Sequence, residues 1–309
     1  MIEDRVAQFE ADIATSPVAL ERLLDRWTPH DLRGRGRSVM TGLGSSRYAA
    51  QIVAAQVVAQ GGTAWVESAG TGVPTPPAAD LACIAISASG RTREVVDAAQ
   101  RHQGRSLVVA LTNEPTSPLA DRADIVIPLH AGEEAAGIAS RTFRATIAAA
   151  ALLSGIATVA SLRPAVDALA ERLANRGVSH HEMVEALDGA PSIDVLADAS
   201  LFGLAEQAAL MLREAPRLPA RAFDTAEWLH TGVYLALPGH RVLLFPGSAA
   251  DDEVVVTAQR RGGLASRVAS TWPISSTAGP IGRAIVDSVV AESLAAALWG
   301  RASAHDKPP

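Results

Sequence analysis

Leu81-Ala82-Cys83-Ile84-Ala85-Ile86 runs directly into Ser87-Ala88-Ser89-Gly90-Arg91-Thr92. The first stretch is apolar without alternation, the pattern of a strand buried on both faces of a parallel sheet. The second is small, hydroxylated and interrupted by glycine, which reads as a tight turn. Arg93 to Gln100 is amphipathic, so a helix starts where the turn ends. Such a turn presents hydroxyls and unpaired backbone N–H groups at a helix N-terminus, where the helix dipole favours a phosphate or another dianion. Glycine lets the backbone approach the oxygens. Taken alone, the stretch fits an ordinary Ser/Thr-rich N-cap turn equally well.

The same strand-turn-helix order recurs along the chain. Ile2 to Ala14 and Val18 to Trp27 read as helices. Arg37 to Gly42 reads as a strand ending in Gly42-Leu43-Gly44-Ser45-Ser46, with Arg47 to Gln60 as its helix. Strands are expected at Thr63 to Val66, Leu107 to Leu111 and Ile125 to Leu129, and a helix at Thr92 to Gln103. A long helix begins near Arg141, and Ala145 to Ala160 is the longest apolar helical run. A second alternation follows: helix Ala205 to Glu214, strand Arg241 to Pro246, helix Asp251 to Arg261, strand Ala265 to Ala269 and helix Ile281 to Trp299. The expected fold class is α/β, with two doubly wound parallel-sheet domains in one chain. The expected division is N-terminal helices at 1–34, a first domain at 35–162, a helical connector at 163–192 broken at Pro164 and Pro191, and a second domain at 193–309. Arg301 to Pro309 reads as an unanchored tail.

Composition narrows the function classes. The 309 residues are 48% hydrophobic but 4% aromatic, so Ala, Val and Leu must fill the core. A net charge of −6 speaks against a nucleic-acid partner, for which a basic footprint is expected. Cys83 is the single cysteine, which leaves no intrachain disulfide and no multi-cysteine metal site, as suits a cytoplasmic protein. Its apolar surroundings place it in the core. The first twenty residues carry Glu3, Asp4, Arg5, Glu10 and Asp12, unlike a signal peptide. Ala145 to Ala160 is short for a membrane span and contains Ser154 and Gly155. No His, Asp and Glu cluster has metal-ligand spacing, and no cofactor is expected.

In open parallel sheets ligands sit beyond the carboxyl ends of the strands, at a switch in strand order. The turns Gly42 to Ser46 and Ser87 to Thr92 face one phosphate if their strands are neighbours. A dinucleotide reading of Gly42-x-Gly44, with Glu67 as the ribose acid, lacks its third glycine because Arg47 stands there. In the second half Glu206, Glu214, Glu227 and His230 are acid–base candidates. Glu227 and His230 share a face if helical. Solvated helix faces are the alternative for Glu206 and Glu227. His130 ends a strand near the presumed mouth and either contacts substrate or packs the loop. His180 and His181 read as surface residues.

These residues resemble the SIS (sugar isomerase) domain family. Ser87-Ala88-Ser89-Gly90-Arg91-Thr92 looks like its Ser-x-Ser-Gly-x-Thr signature, and Gly42 to Ser46 resembles its first phosphate-side loop. Ala110-Leu111-Thr112-Asn113 and Ser117-Pro118-Leu119-Ala120 are similar to its next strand and loop. Glu133-Glu134 with Gly137-Ile138-Ala139-Ser140-Arg141-Thr142 looks like its Glu-x-Gly-Val-Ala-Ser-Thr segment. The resemblance is to the two-SIS isomerase half of glucosamine-6-phosphate synthase and its stand-alone relatives. It implies two flavodoxin-like SIS domains. It assigns the sugar 6-phosphate to Ser45, Ser46, Ser87, Ser89, Gly90 and Thr92, and the sugar to Ile138 and Ser140. Leu210-Met211-Leu212-Arg213-Glu214 resembles Leu-Lys-Leu-Lys-Glu and makes Glu214 the base between C1 and C2. Glu227-Trp228-Leu229-His230 resembles Glu-Leu-Lys-His and makes His230 the ring-opening residue. Glu206 and Glu227 are supporting candidates. In the family this histidine comes from the other subunit, which implies a homodimer with shared active sites.

Several residues depart from that pattern. Gln207 stands where the synthase has a second glutamate. Ala197-Asp198-Ala199 replaces Gly-Arg-Gly, so the second half is expected to have a degenerate phosphate loop. The glutaminase domain is expected to be absent, as is the tail carrying an Asn-Leu-x-Lys lysine. The expected function is an isomerase or deaminase acting on an amino-sugar 6-phosphate by C2 proton abstraction. A dehydratase acting on an N-acylated amino-sugar 6-phosphate, a fructosamine-6-phosphate deglycase and a non-catalytic sensor are the alternatives. No membrane and no nucleic-acid partner is expected.

Overall fold

The structure, a computed structural model, describes all residues except 1, 31, 33–35, 176, 271–277 and 306–309. Helices α1 (Ile2–Ala14) and α2 (Ser16–Asp25) precede a first α/β unit. That unit contains β1 (Arg37–Gly42), α3 (Ser45–Ala59), β2 (Ala64–Ser68), β3 (Leu81–Ile86), α4 (Arg93–His102), β4 (Leu107–Thr112), β5 (Ile125–Pro128) and α5 (Arg141–Leu153). Helices α6 (Val159–Ala174) and α7 (Gly177–Leu187) lead to a second unit. It contains β6 (Ile193–Ala197), α8 (Phe202–Glu214), β7 (Ala220–Asp224), α9 (Thr225–Trp228), β8 (Arg241–Phe245), α10 (Asp251–Arg260), β9 (Leu264–Arg267) and α11 (Gly279–His305).

Both sheets are wholly parallel, ordered β2-β1-β3-β4-β5 and β7-β6-β8-β9. The expected α/β class with two helix-flanked parallel sheets is what the chain adopts. The apolar run at 81–86 is the buried centre of the first sheet, paired on both sides and no more than 1% exposed. Helix α4 buries Val95, Ala98, Ala99 and His102, the spacing of one amphipathic face. Helix α5 is buried along nearly its whole length because it is enclosed by α2, α3 and α11. One continuous core holds Met40, Ile84 and Leu111 of the first sheet with Ile193, Val195 and Phe245 of the second. Helix α8 crosses α3 at Gly203, where a Cβ would lie 2.1 Å from the Tyr48 carbonyl oxygen. Only glycine permits that approach, and it fixes the two units against each other.

Four expectations change. Strands β6 and β7 are additional: Asp194 interrupts the apolar run of β6, and β7 is a half-exposed edge strand containing Arg221 and Asp224. Pro164 lies inside α6 instead of breaking it. It sits near the helix start, which a Thr158–Ser161 capping box fixes, so its missing N–H removes a single early hydrogen bond. The run Ala145 to Ala160 is two helices, parted where Ser154 and Gly155 cap α5. The segment read as a tail is helical through His305, and Arg301 is anchored to Glu185 and, at 3.1 Å, to Asp188. Asp306 to Pro309 lie outside the described residues.

Candidate functional site

Strands β1 and β3 are parallel neighbours, so the loops that leave them lie side by side at the switch in strand order. A Cβ on Gly42 would meet the Ser46 Cβ at 3.0 Å and the Ile86 carbonyl at 3.3 Å, which shows how closely the two loops pack. No side chain caps the first turn of α3 or of α4. The Thr92 hydroxyl instead pairs with the buried Ser87 hydroxyl at 3.0 Å. Ser89 is exposed and Ser45 and Ser46 are half-buried, so these three hydroxyls face the space between the loops and solvent. Gly90 has φ +61°, and a Cβ there would lie 2.0 Å from Ser117 Oγ. The loop is held from beneath: Asn113 N donates to Ala88 O at 3.0 Å and Leu119 N to Gly90 O at 3.0 Å. The result is a cradle of hydroxyls and helix N–H groups suited to an anion.

The segment after β5 forms a wall beside this cradle. Glu134 accepts hydrogen bonds from Ser140 N at 2.7 Å and Thr142 N at 3.0 Å. Burial raises the Glu134 carboxyl, with those two N–H donors opposing. Ile138 and Ser140 are themselves buried, and Ala139 between them is half-buried. Beneath it Arg144 donates to Ser140 O at 3.3 Å, to Ser16 Oγ at 2.9 Å and to Glu292 at 2.6 Å. The Arg144–Glu292 pair is fully enclosed, and burial pushes Glu292 up to about 7 despite the guanidinium. His130 has φ +53° and its carbonyl accepts from Arg22, while burial lowers its imidazole.

Helix α8 brings the acid–base candidates. Gln207 Nε2 donates to Ala139 O at 2.9 Å and ties the helix to the wall. Glu214 is two turns further, roughly 10 Å along the same helix face. It is half-buried, desolvation raises its carboxyl, and Arg213 and Arg217 oppose that shift. Among the described residues its carboxylate has no hydrogen-bond or ion-pair partner. Arg213 points elsewhere, donating to Ala220 O at 2.8 Å. Glu206 is instead paired with Arg47 at 2.8 Å across the α3–α8 contact, its carboxyl raised by burial.

Glu227 is exposed within α9, and His230 is exposed on the turn that follows it. Asp224 caps the N-terminus of α9 through Ala226 N and Glu227 N, at 2.9 and 3.0 Å. Strand β6 alternates: Ile193, Val195 and Ala197 pack into the core shared with α8, whereas Leu196 packs with Trp228. Helices α8 and α9 therefore cover opposite faces of the second sheet, as right-handed crossovers with this strand order require. Glu214 and His230 of one chain lie on opposite faces and do not meet. The His230 turn is fixed by Asp194, a buried carboxylate that the sequence reading missed. It accepts from Trp228 Nε1 at 2.8 Å, His240 Nε2 at 2.9 Å and Arg221 Nε and Nη2 at 2.9 and 2.7 Å. A charged residue inside an otherwise apolar strand was its one visible signal.

Glu67 does not serve as a ribose acid. It closes its own loop by accepting from Thr75 N and Oγ1, at 2.9 and 2.8 Å. Cys83 is buried and its thiol is pushed up to about 12, a core residue as expected. Among the described residues no His, Cys, Asp and Glu group has metal-binding geometry, and no helix is long and apolar enough to cross a membrane.

Comparison with known proteins matches residues 31–155 to the SIS domain family. The glutamine–fructose-6-phosphate aminotransferase (isomerizing) of Aeropyrum pernix is 32% identical over 175 residues, 52% of this chain and 28% of that protein. The protein of the same name from Zymomonas mobilis is 31% identical over 165 residues, 48% of this chain and 27% of its own length. The match thus spans little more than a quarter of these relatives. Glucosamine-6-phosphate deaminase from Thermotoga maritima superimposes with a TM-score of 0.75 at 17% identity, covering 95% of this chain and 94% of that one. Tagatose-6-phosphate ketose/aldose isomerase from Escherichia coli does so with a TM-score of 0.74 at 18% identity, covering 100% and 94%. At these identities the structural likeness establishes the fold.

Proposed function

We propose that this chain, whose residues 31–155 match the SIS domain family, is a phosphosugar-processing enzyme that moves a proton at C2 of an amino-sugar 6-phosphate as an aldose–ketose isomerase or deaminase. The observation that carries the proposal is the pairing of two Ser/Gly loops at the β1–β3 switch with a half-buried, unpaired Glu214 on a helix tied to the same site. Neither feature is needed for the fold alone. The relatives' names point to the same chemistry: glutamine–fructose-6-phosphate aminotransferase, glucosamine-6-phosphate deaminase and tagatose-6-phosphate ketose/aldose isomerase.

Ser45, Ser46 and Ser89, with the first-turn N–H groups of α3 and α4, hold the 6-phosphate. Ser87 and Thr92 support that loop through their mutual hydrogen bond, and Gly90 keeps it close to Ser117. Glu214 takes the proton from C2 of the open-chain aldose. The carbonyl at C1 becomes an enediol or enaminol, and return of the proton to C1 places the carbonyl, or its imine, at C2. Hydrolysis of that imine releases ammonia in the deaminase outcome. Burial raises the Glu214 carboxyl toward the range in which it accepts a carbon-bound proton near neutrality and returns it. His230 moves the ring-opening proton. Because it lies on the far face of the sheet from Glu214, it acts on the site of a second copy, and the functional unit is a homodimer.

Incubating the purified protein with hexose and amino-sugar 6-phosphates in deuterated water tests this reading. The expected result is deuterium at C2 of the recovered aldose and at C1 of the ketose product, with no other mass change for an isomerase and with loss of ammonia for a deaminase. Loss of water would move the assignment to the dehydratase. No exchange with any sugar phosphate, at concentrations where they bind, would leave a sensor and overturn the enzyme.

A further inference from the structure

The carboxyl edge of the second sheet also carries a cleft, and it is built differently. A space of about 520 Å³ lies between the ends of β8 and β9 and the first turns of α11, lined by Gly247, Arg267, Ser270 and Arg283 among others. Arg283 is 3% exposed. Its Nε donates to Asp287 at 3.1 Å, and among the described residues its two terminal nitrogens have no hydrogen-bond partner. Gly247 makes room for them: it has φ +152°, and a Cβ there would lie 2.9 Å from Arg283 Nη1. The nearby carboxylates are turned into their own loops. Asp251 accepts from Gly247 N at 2.6 Å, and Asp198 from Ser200 N and Oγ at 3.0 and 2.7 Å. Arg267 stands at the rim, paired with the exposed Asp252 at 2.5 Å.

A buried guanidinium with one edge occupied and the other directed into a cleft is suited to bidentate recognition of a planar or tetrahedral oxyanion. The cleft also opens at the carboxyl edge of the parallel sheet, the edge at which such sheets bind ligands, beside β8 and β9 rather than at the β6–β8 switch. We propose that it is a second oxyanion site, which takes the phosphate or carboxylate group of a small molecule on the free edge of Arg283. It is independent of the Ser87–Thr92 loop, and it does not depend on the catalytic reading above. The Gly247 N–H is held by Asp251, so the guanidinium rather than a backbone nest provides the donors.

Calorimetric titration of the intact protein with inorganic phosphate tests the proposal. Two binding events per chain are expected. Ser89→Ala weakens one of them and leaves the other intact. Arg283→Lys keeps a charge beside Asp287 but lacks the planar fork, and it raises the dissociation constant of the other at least tenfold. Arg283→Gln, checked by its melting curve, abolishes that event. In a fourth arm, Gly247→Ala crowds Arg283 Nη1 and weakens the same event with the charge unchanged. Malonate as a competitor distinguishes a carboxylate from a phosphoryl preference, and displacement or its absence at the Arg283 event gives that answer. A single phosphate per chain, or two whose affinities ignore all three substitutions at 283 and 247, overturns the proposal.

Discussion

The two sheets share the strand order 2-1-3-4 over their first four strands, yet their carboxyl edges differ in chemistry. At the first edge, the loops after β1 and β3 end in hydroxyls and uncapped helix N-termini, and among the described residues no side-chain carboxylate accepts a hydrogen bond from either loop. At the second edge, Asp198 and Asp251 occupy the corresponding turns and accept the N–H groups that would otherwise face a ligand. An aspartate in such a turn acts as a built-in anion. Here each ties up a backbone N–H of its own loop, Asp198 that of Ser200 and Asp251 that of Gly247, so the donors left at this edge are those of the Arg283 guanidinium. Topology provides a ligand position twice, and a few loop residues decide which position binds what. Helix α8 of the second unit, which carries Glu214, is tied through Gln207 to the segment beside the first unit's loops, and the opposite face of the second sheet carries α9 and the His230 turn.

The largest test of that division removes the base. Glu214→Gln keeps the volume and loses the proton acceptor, and general-base catalysis contributes about 10²–10⁴-fold. Turnover should fall by that factor and deuterium exchange at C2 should vanish, with phosphate affinity unchanged. Because desolvation raises the Glu214 carboxyl, the wild-type rate should fall as pH drops through a value above that of an ordinary carboxylate. An exchange rate equal to that of the wild type would move the role to Glu206. A second test breaks the chain-to-chain arrangement. Glu214→Gln and His230→Ala proteins, each inactive alone, should regain part of the activity when subunits exchange, because one mixed site then carries both intact residues. Mixed dimers without activity would place both groups in one subunit's site.

Much of this division is legible in the sequence, for a physical reason. Gly and Ser at a strand end, and an unbroken apolar run before them, are local signals, and the first sheet consists of such signals. The Ser/Gly turns after β1 and β3 fall where the sequence predicts turns, and the two strands are adjacent. Strands β6 and β7 are masked because their stability comes from partners distant in sequence. Asp194 is tolerated in β6 only through Arg221, Trp228 and His240. The enclosed Arg144–Glu292 pair joins residues 148 positions apart, and no spacing rule relates them. Arg283 reads as an ordinary residue of an amphipathic helix until Gly247 is seen to open a space beside it.

The Arg144–Glu292 pair joins α5 of the first unit to α11 of the second and gives a further test of how the units depend on each other. Burial raises the Glu292 carboxyl from 4.5 to about 7, so the folded state binds this proton more tightly than the unfolded chain. The corresponding stability is present in full below pH 4.5 and is lost as pH rises through about 7. At 1.36 kcal/mol per pH unit the loss is at most about 3 kcal/mol. Denaturant titrations at pH 5 and pH 8 should therefore show lower stability at pH 8. Glu292→Gln, which still offers Arg144 an acceptor oxygen, should remove the difference. An unchanged pH slope in that variant would assign the dependence to other groups.

The smallest test compares single hydroxyls at the two edges. Ser89 is exposed and its hydroxyl accepts only from Arg91 N at 3.2 Å, which leaves the O–H free to donate to a phosphate. Hydrogen bonds to charged groups contribute about 1.5–3 kcal/mol, so Ser89→Ala should raise the dissociation constant of a sugar 6-phosphate roughly ten- to a hundredfold. Ser248 occupies the matching place after β8 and likewise accepts from a backbone N–H two residues on, Ala250 at 3.2 Å. Its loop is closed by Asp251, which already holds Gly247 N. Ser248→Ala should leave that dissociation constant within about twofold of wild type, because no charged group of the sugar phosphate reaches it. Calorimetry on the two variants decides the matter. Equal effects would mean that the hydroxyls of both edges take part in binding the sugar phosphate.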